Sequence, residues 1–92
     1  KKRMKMKSQD NIIVYGTKWC PDSHRARLIF KKNDIDYTYI DIDENPEAVE
    51  IVLKINNGNR SVPTILFPDE SILVEPSNRE LKDKLAELTI AN

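Results

Sequence analysis

The chain has 92 residues, 39% hydrophobic and 33% charged, enough for one small globular core and too few for two. Fifteen basic residues balance fifteen acidic ones, but Lys1, Lys2, Arg3, Lys5 and Lys7 crowd residues 1–10 beside Asp10 alone, leaving an acidic body ill-suited to nucleic acid. Apolar runs such as Ile12–Tyr15 and Ile65–Phe67 are too short to cross a bilayer, one cysteine excludes an internal disulfide, and one histidine excludes an ordinary zinc site.

Residues 1–10 read as a solvated basic arm ahead of a domain over 11–92. Ile12-Ile13-Val14-Tyr15 has the pattern of a strand buried on both faces, ended by Gly16 and Thr17. Pro21 suits the first position of a helix, where its missing N–H costs nothing. Ala26, Ile29 and Phe30 continue that helix to about Lys32, and Asn33-Asp34 stops it. Ile35 to Ile42 is β-branched and aromatic and reads as a second strand. Asn45 is placed as the cap of a second helix opened by Pro46 and closed by Asn57-Gly58. Thr64–Phe67 and Ile72–Val74 are strands joined by Pro68-Asp69-Glu70-Ser71, a hairpin connection. Ser77 and Glu80 form a capping box, and Leu81, Leu85 and Leu88 stripe a last helix. The order β-α-β-α-β-β-α predicts an α/β fold with a four-stranded mixed sheet flanked by helices. That order resembles the thioredoxin-like sandwich.

Cys20 stands where the first strand passes into the first helix. With Pro21 at N1, Cys20 occupies the N-cap and its sulfur is expected to face the N–H groups of Asp22 and Ser23. The positive end of the helix favours the thiolate, the form that attacks disulfides, with Lys18 and Arg25 adding positive potential and Asp22 opposing it. The plain alternative is a buried structural thiol. The strand–Cys-Pro–helix placement favours the reactive one. Ser61-Val62-Pro63 precedes the third strand, where Pro63 either starts the strand in trans or adopts a cis bond that exposes the Val62 backbone to an extended substrate.

The stretch Val14-Tyr15-Gly16-Thr17-Lys18-Trp19-Cys20-Pro21-Asp22-Ser23 resembles the active-site segment of glutaredoxins. Asn57-Gly58-Asn59-Arg60-Ser61-Val62-Pro63-Thr64, followed by Leu73–Ser77, is more specifically similar to mycoredoxin-type bacterial proteins. The likeness spans roughly residues 11–88. It implies a thioredoxin fold, a cis Pro63 and a nucleophilic Cys20. It further implies that Lys18, Trp19, Pro21, Val62, Pro63 and Arg60 surround the bound substrate.

Two positions depart from the family pattern. The usual second cysteine is Ser23 here, so the chain is monothiol as it stands, and dithiol only if that serine is an engineered replacement. The glycine pair and aspartate that hold glutathione in many glutaredoxins are replaced by Val74-Glu75-Pro76-Ser77-Asn78. Another low-molecular-weight thiol, or a protein disulfide, is then at least as good a partner as glutathione. Trp19 reads either as a shield for the sulfur or as a core aromatic. Arg60 either meets a substrate carboxylate or is a solvated loop residue. His24 reads as helix surface, and Asp41, Asp43 and Glu44 as a solvated strand end.

The function expected is thiol–disulfide exchange on protein or small-molecule mixed disulfides in cell redox homeostasis. No cofactor is expected beyond a small thiol or a disulfide reductase as electron donor. A monomer in a reducing cytoplasm, with no nucleic-acid or membrane partner, completes that picture. The competing readings are a non-catalytic thiol-binding adaptor and an iron–sulfur carrier in which Cys20 from two chains holds a cluster.

Overall fold

The computed structural model describes residues 11–90, apart from the side chains of 89 and 90, and the basic arm over 1–10 lies outside the described residues. The elements follow the expected order: β1 (Ile12–Gly16), α1 (Pro21–Lys32), β2 (Tyr37–Asp41), α2 (Pro46–Ile55), β3 (Thr64–Leu66), β4 (Ile72–Val74) and α3 (Asn78–Ile90). They build one sheet ordered β2-β1-β3-β4. β1 runs parallel to β2, whereas β3 runs antiparallel to both β1 and β4. Among the described residues, no helix is long and apolar enough to cross a membrane.

The central position of β1 explains its unbroken apolar run. Ile12 and Val14 pack with Ala26, Ile29 and Phe30 of α1, Ile65 of β3, and Leu81 and Leu85 of α3. Tyr15 packs on the opposite side with Ile42, Ala48 and Val52, joined by the partly buried Ile13. Two helices therefore cover one face and one covers the other. Phe30 is fully buried with its ring centroid 5.0 Å from that of Tyr37. Burial of a side chain this size contributes about 2–3 kcal/mol, so the α1 face is a principal source of stability.

The ends of the elements carry local signals with local causes. Ser77 and Glu80 close the capping box in both directions: the Ser77 N–H donates to Glu80 Oε1 at 2.8 Å and the Glu80 N–H donates to Ser77 Oγ at 3.0 Å. Gly58, at φ +94°, takes the left-handed conformation after α2, and its N–H donates to the Leu53 carbonyl at 2.7 Å. Three expectations need correction. Asn45 holds the N-cap position of α2, but its side chain donates to the Asp41 carbonyl at 2.9 Å instead of capping the helix. The second strand starts at Tyr37 because the Ile35 N–H is drawn back to the Phe30 carbonyl at 3.0 Å. The third strand stops at Leu66, since the Phe67 N–H turns to the Ser71 carbonyl at 3.0 Å within the hairpin connection.

The hairpin is tied to α3 through one carboxylate. Asp69 accepts from the N–H and hydroxyl of Ser71 at 3.0 and 2.6 Å and pairs with Lys84 at 2.5 Å. Lys84 also lies 5.6 Å from the centre of the Phe67 ring. The Lys84 ammonium first, and then Ser71, hold the Asp69 carboxyl far below the usual carboxylate range. A lowered folded-state value means that this group stabilises the fold above its unfolded value, and that the contribution is lost as the pH falls through the folded value. Asp69→Asn should therefore cost about 1 kcal/mol at pH 7, given the partial exposure of the pair, and the deficit should shrink as the pH falls below about 4. Urea denaturation at several pH values reads both effects; an equal deficit at every pH would contradict this account.

Candidate active site

The pairing of β1 with β3 brings Tyr15 opposite Thr64, so the loop after β1 and the loop before β3 emerge side by side at one end of the sheet. Cys20 caps α1 with extended backbone angles, φ −89° and ψ 115°, and Pro21 occupies the first turn. The Val62–Pro63 bond is cis. The cysteine is buried, at 7% exposure, and its Sγ–H donates to the Val62 carbonyl at 3.8 Å. The sulfur makes no capping hydrogen bond to the N–H groups of Asp22 or Ser23. The Val62 carbonyl supplies an acceptor for the thiol proton that helix N–H groups, being donors, cannot. Pro63 is itself held from the far side, its carbonyl accepting the Glu75 N–H at 2.8 Å.

Ser23 is fully buried, one turn into α1, and its Oγ accepts the Thr17 N–H at 3.5 Å. The hydroxyl thus braces the loop that carries Cys20. The same loop is closed by the Cys20 N–H, which donates to the Thr17 carbonyl at 3.4 Å. Gly16 makes this packing possible. A Cβ there would lie 2.6 Å from Ser23 Oγ, 3.0 Å from Ser23 Cβ and 3.1 Å from the Tyr39 ring.

The remaining predicted residues sort into two groups. Trp19 is 66% exposed, which removes the core reading, and its indole N–H donates to Asp43 Oδ2 at 2.8 Å. Arg60 donates to the other oxygen of the same carboxylate at 2.6 Å. Arg60 first, and then Trp19, hold the Asp43 carboxyl below its ordinary value. Asp43 is therefore a structural partner of two site residues and not merely a solvated strand end. Sequence reading missed it because its partners lie 24 and 17 positions away in the chain. The available signal was the cluster of acids Asp41, Asp43 and Glu44 at the end of the second strand, with no basic residue near them in the chain.

The other cations near the site are also paired. Lys18 meets Glu44 at 3.4 Å across exposed surface. Arg25 pairs with Asp22 at 3.1 Å, donates to the Pro76 carbonyl at 3.3 Å, and donates to Asn78 Oδ1 at the start of α3. Each of these cations therefore faces an acid of the chain, which opposes the positive potential that Lys18 and Arg25 were expected to lend the sulfur. His24 is exposed as expected, with Nε2 at 2.6 Å from the Lys18 carbonyl.

The Gly16 contact yields a test of how α1 is seated. Gly16→Ala should destabilise the fold by about 1–3 kcal/mol, because Ser23 Cβ is anchored to backbone and cannot rotate away. Adding Ser23→Gly should recover part of the loss. Urea denaturation followed by circular dichroism reads both variants, and a neutral Gly16→Ala would refute the tight seating.

Comparison with known proteins agrees with this geometry. The sequence pattern of the glutaredoxin family matches residues 12–72. A putative glutaredoxin of Mycobacterium tuberculosis is 40% identical over 77 residues, spanning 84% of this chain and 92% of that protein. Mycoredoxin 1 of Corynebacterium glutamicum is 37% identical over 79 residues, spanning 85% of this chain and 96% of its own. Among solved structures, a glutaredoxin from Archaeoglobus fulgidus superposes with a TM-score of 0.71 at 23% identity, covering 83% of this chain and 86% of that one. That structural likeness shows the thioredoxin-like fold, and the sequence matches carry the assignment further. A strand-to-helix Cys-Pro, a facing cis-proline loop and these relatives lead to one conclusion: the chain belongs to the glutaredoxin family, on its mycoredoxin-type branch, and is a thiol–disulfide oxidoreductase.

Proposed function

We propose that the chain, as a monothiol enzyme, resolves mixed disulfides between proteins and a low-molecular-weight thiol, with Cys20 as the nucleophile. The supporting observation is the apposition of Cys20 Sγ and the Val62 carbonyl at 3.8 Å, at the N-terminus of α1. A backbone carbonyl beside the sulfur marks where an extended substrate can pair with the chain, with little demand on its side chains.

In the resting thiol the proton is shared with Val62. Once deprotonated, the sulfur loses that bond and the first-turn N–H groups of α1 become its stabilising donors. The thiolate attacks the small-thiol sulfur of the mixed disulfide. A bond forms between Sγ and that sulfur, the old disulfide breaks, and the protein thiolate leaves and takes a proton from solvent. A second small-thiol thiolate then attacks the small-thiol sulfur held on Cys20. This releases the symmetrical small disulfide and regenerates the Cys20 thiolate. The reductant is the second small thiol, whose sulfur is oxidised as the protein sulfur is reduced, so no bound cofactor is needed. Lys18, Trp19, Pro21, Arg60, Val62 and Pro63 form the surroundings in which the substrate docks.

Ser23 limits the chemistry. Its hydroxyl cannot displace a sulfur, so a protein disulfide attacked by Cys20 stays bound until an external thiol arrives. Ser23→Cys should close an internal disulfide and release a trapped protein without added thiol, since a Cys-x-x-Cys at a helix start brings the sulfurs within bonding distance. Cys20→Ser should abolish exchange while keeping the fold, because a serine hydroxyl caps α1 in its place.

The direct experiment is intact-mass measurement after incubation with the disulfides of glutathione, cysteine and mercaptoethanol. It is paired with turnover, in the presence of excess free mercaptoethanol as the resolving thiol, of a peptide joined to mercaptoethanol through one disulfide. One adduct on Cys20 and multiple turnovers are expected. Adduct formation without turnover would overturn the catalytic reading in favour of a thiol-binding adaptor, and absence of any adduct would overturn both.

A further inference from the structure

Among the described residues, one carboxylate joins the two loops that flank the nucleophile. Asp43 lies in the connection from β2 to α2, away from the Cys-Pro segment and the cis-proline loop. Its Oδ2 nevertheless accepts the indole N–H of Trp19, the residue before Cys20, at 2.8 Å. Its Oδ1 accepts from Arg60, two residues before Val62, at 2.6 Å. The base of this bridge is anchored. The adjacent Ile42 is 1% exposed, and its N–H donates to the Gly16 carbonyl at 3.0 Å, extending the β1–β2 ladder past its last paired strand residue. The Asp43 N–H is in turn held by Asp41 Oδ1 at 2.9 Å.

Trp19 needs such a bridge. With 66% of its surface in solvent, it is not fixed by burial, and a large aromatic left free beside the nucleophile samples many rotamers. Fixing it in advance removes an ordering cost from substrate binding.

We propose that Asp43 is a positioning residue for disulfide exchange: its carboxylate ties Trp19 to Arg60 and sets the separation of the two loops between which a mixed disulfide reaches Cys20. This rests on the reading of Cys20 as the nucleophile. Asp43 touches neither the sulfur nor the substrate, and acts through the residues it holds. Its depressed proton affinity, caused first by Arg60 and then by Trp19, keeps it charged at neutral pH and agrees with this role.

The chain contains a single tryptophan, so its fluorescence reports Trp19 alone. In Asp43→Ala, Trp19 anisotropy should fall and KM for the mercaptoethanol–peptide disulfide should rise about three- to tenfold, the scale of one partly exposed charge-assisted hydrogen bond. The kcat and the rate of Cys20 alkylation by iodoacetamide should stay within about twofold, because the thiol itself is untouched. Asp43→Asn keeps an acceptor for the indole but loses the charge facing Arg60. It should retain the anisotropy and show a smaller rise in KM. Unchanged KM and anisotropy in Asp43→Ala would overturn the proposal, as would a matched loss of kcat and alkylation rate, which would signal a general structural defect. Failure of the parent chain to turn over would instead strike at the role of Cys20, while the anisotropy comparison would still test the bridge.

Discussion

The site depends on the antiparallel register of β3 against β1. With Tyr15 opposite Thr64, the residues after β1 and those before β3 leave the sheet as neighbours, and the sulfur of Cys20 comes to lie against the carbonyl of Val62. Since side chains alternate across a strand, a slip of one residue would turn the core side chains of β3 to the wrong face as well as part the two loops. Thr64 helps hold the register. Its side chain is fully buried and its hydroxyl donates to the Ser61 carbonyl at 2.8 Å while accepting from the Asn56 side chain at 3.0 Å. The end of α2, the cis-proline loop and the start of β3 are thereby joined through one hydroxyl.

Around this backbone frame the charges are arranged in pairs. Lys18, Arg25 and Arg60 each face an acid, and each pair is at least partly exposed. Pairs of this kind contribute little to stability singly. Their value here is geometric: they connect the loop after β1 to the connection after β2, and the latter to the loop before β3. The cations thus have acid partners within the chain.

Ser23 has a double place in this design. It sits where a second thiol would stand in a dithiol relative, yet it is well accommodated: fully buried, accepting the Thr17 N–H, and in a space that Gly16 keeps open. The hydroxyl packs against the loop that carries Cys20 and cannot itself displace a sulfur. The exchange proposed above needs Cys20 alone, and the chain holds no second thiol that could release a protein disulfide internally.

The sequence alone determined the order of the seven elements, the placement of Cys20 before the first turn of α1, the stop at Asn57-Gly58 and the capping box of α3. All of these follow from periodicity or from contacts within about one helical turn, which neighbouring residues specify. The Ser61–Thr64 segment was also legible, but only by its resemblance to a known family. Tertiary structure decided where the Cys20 sulfur points, that Trp19 lies outside the core, and that Asp43 holds both Trp19 and Arg60. These contacts span 42, 24 and 17 residues of sequence and exist only because the sheet brings its loops to one end. No local pattern encodes that meeting. An acid after a strand reads the same whether it faces water or a guanidinium, and the choice is made by the register of strands far away in the chain.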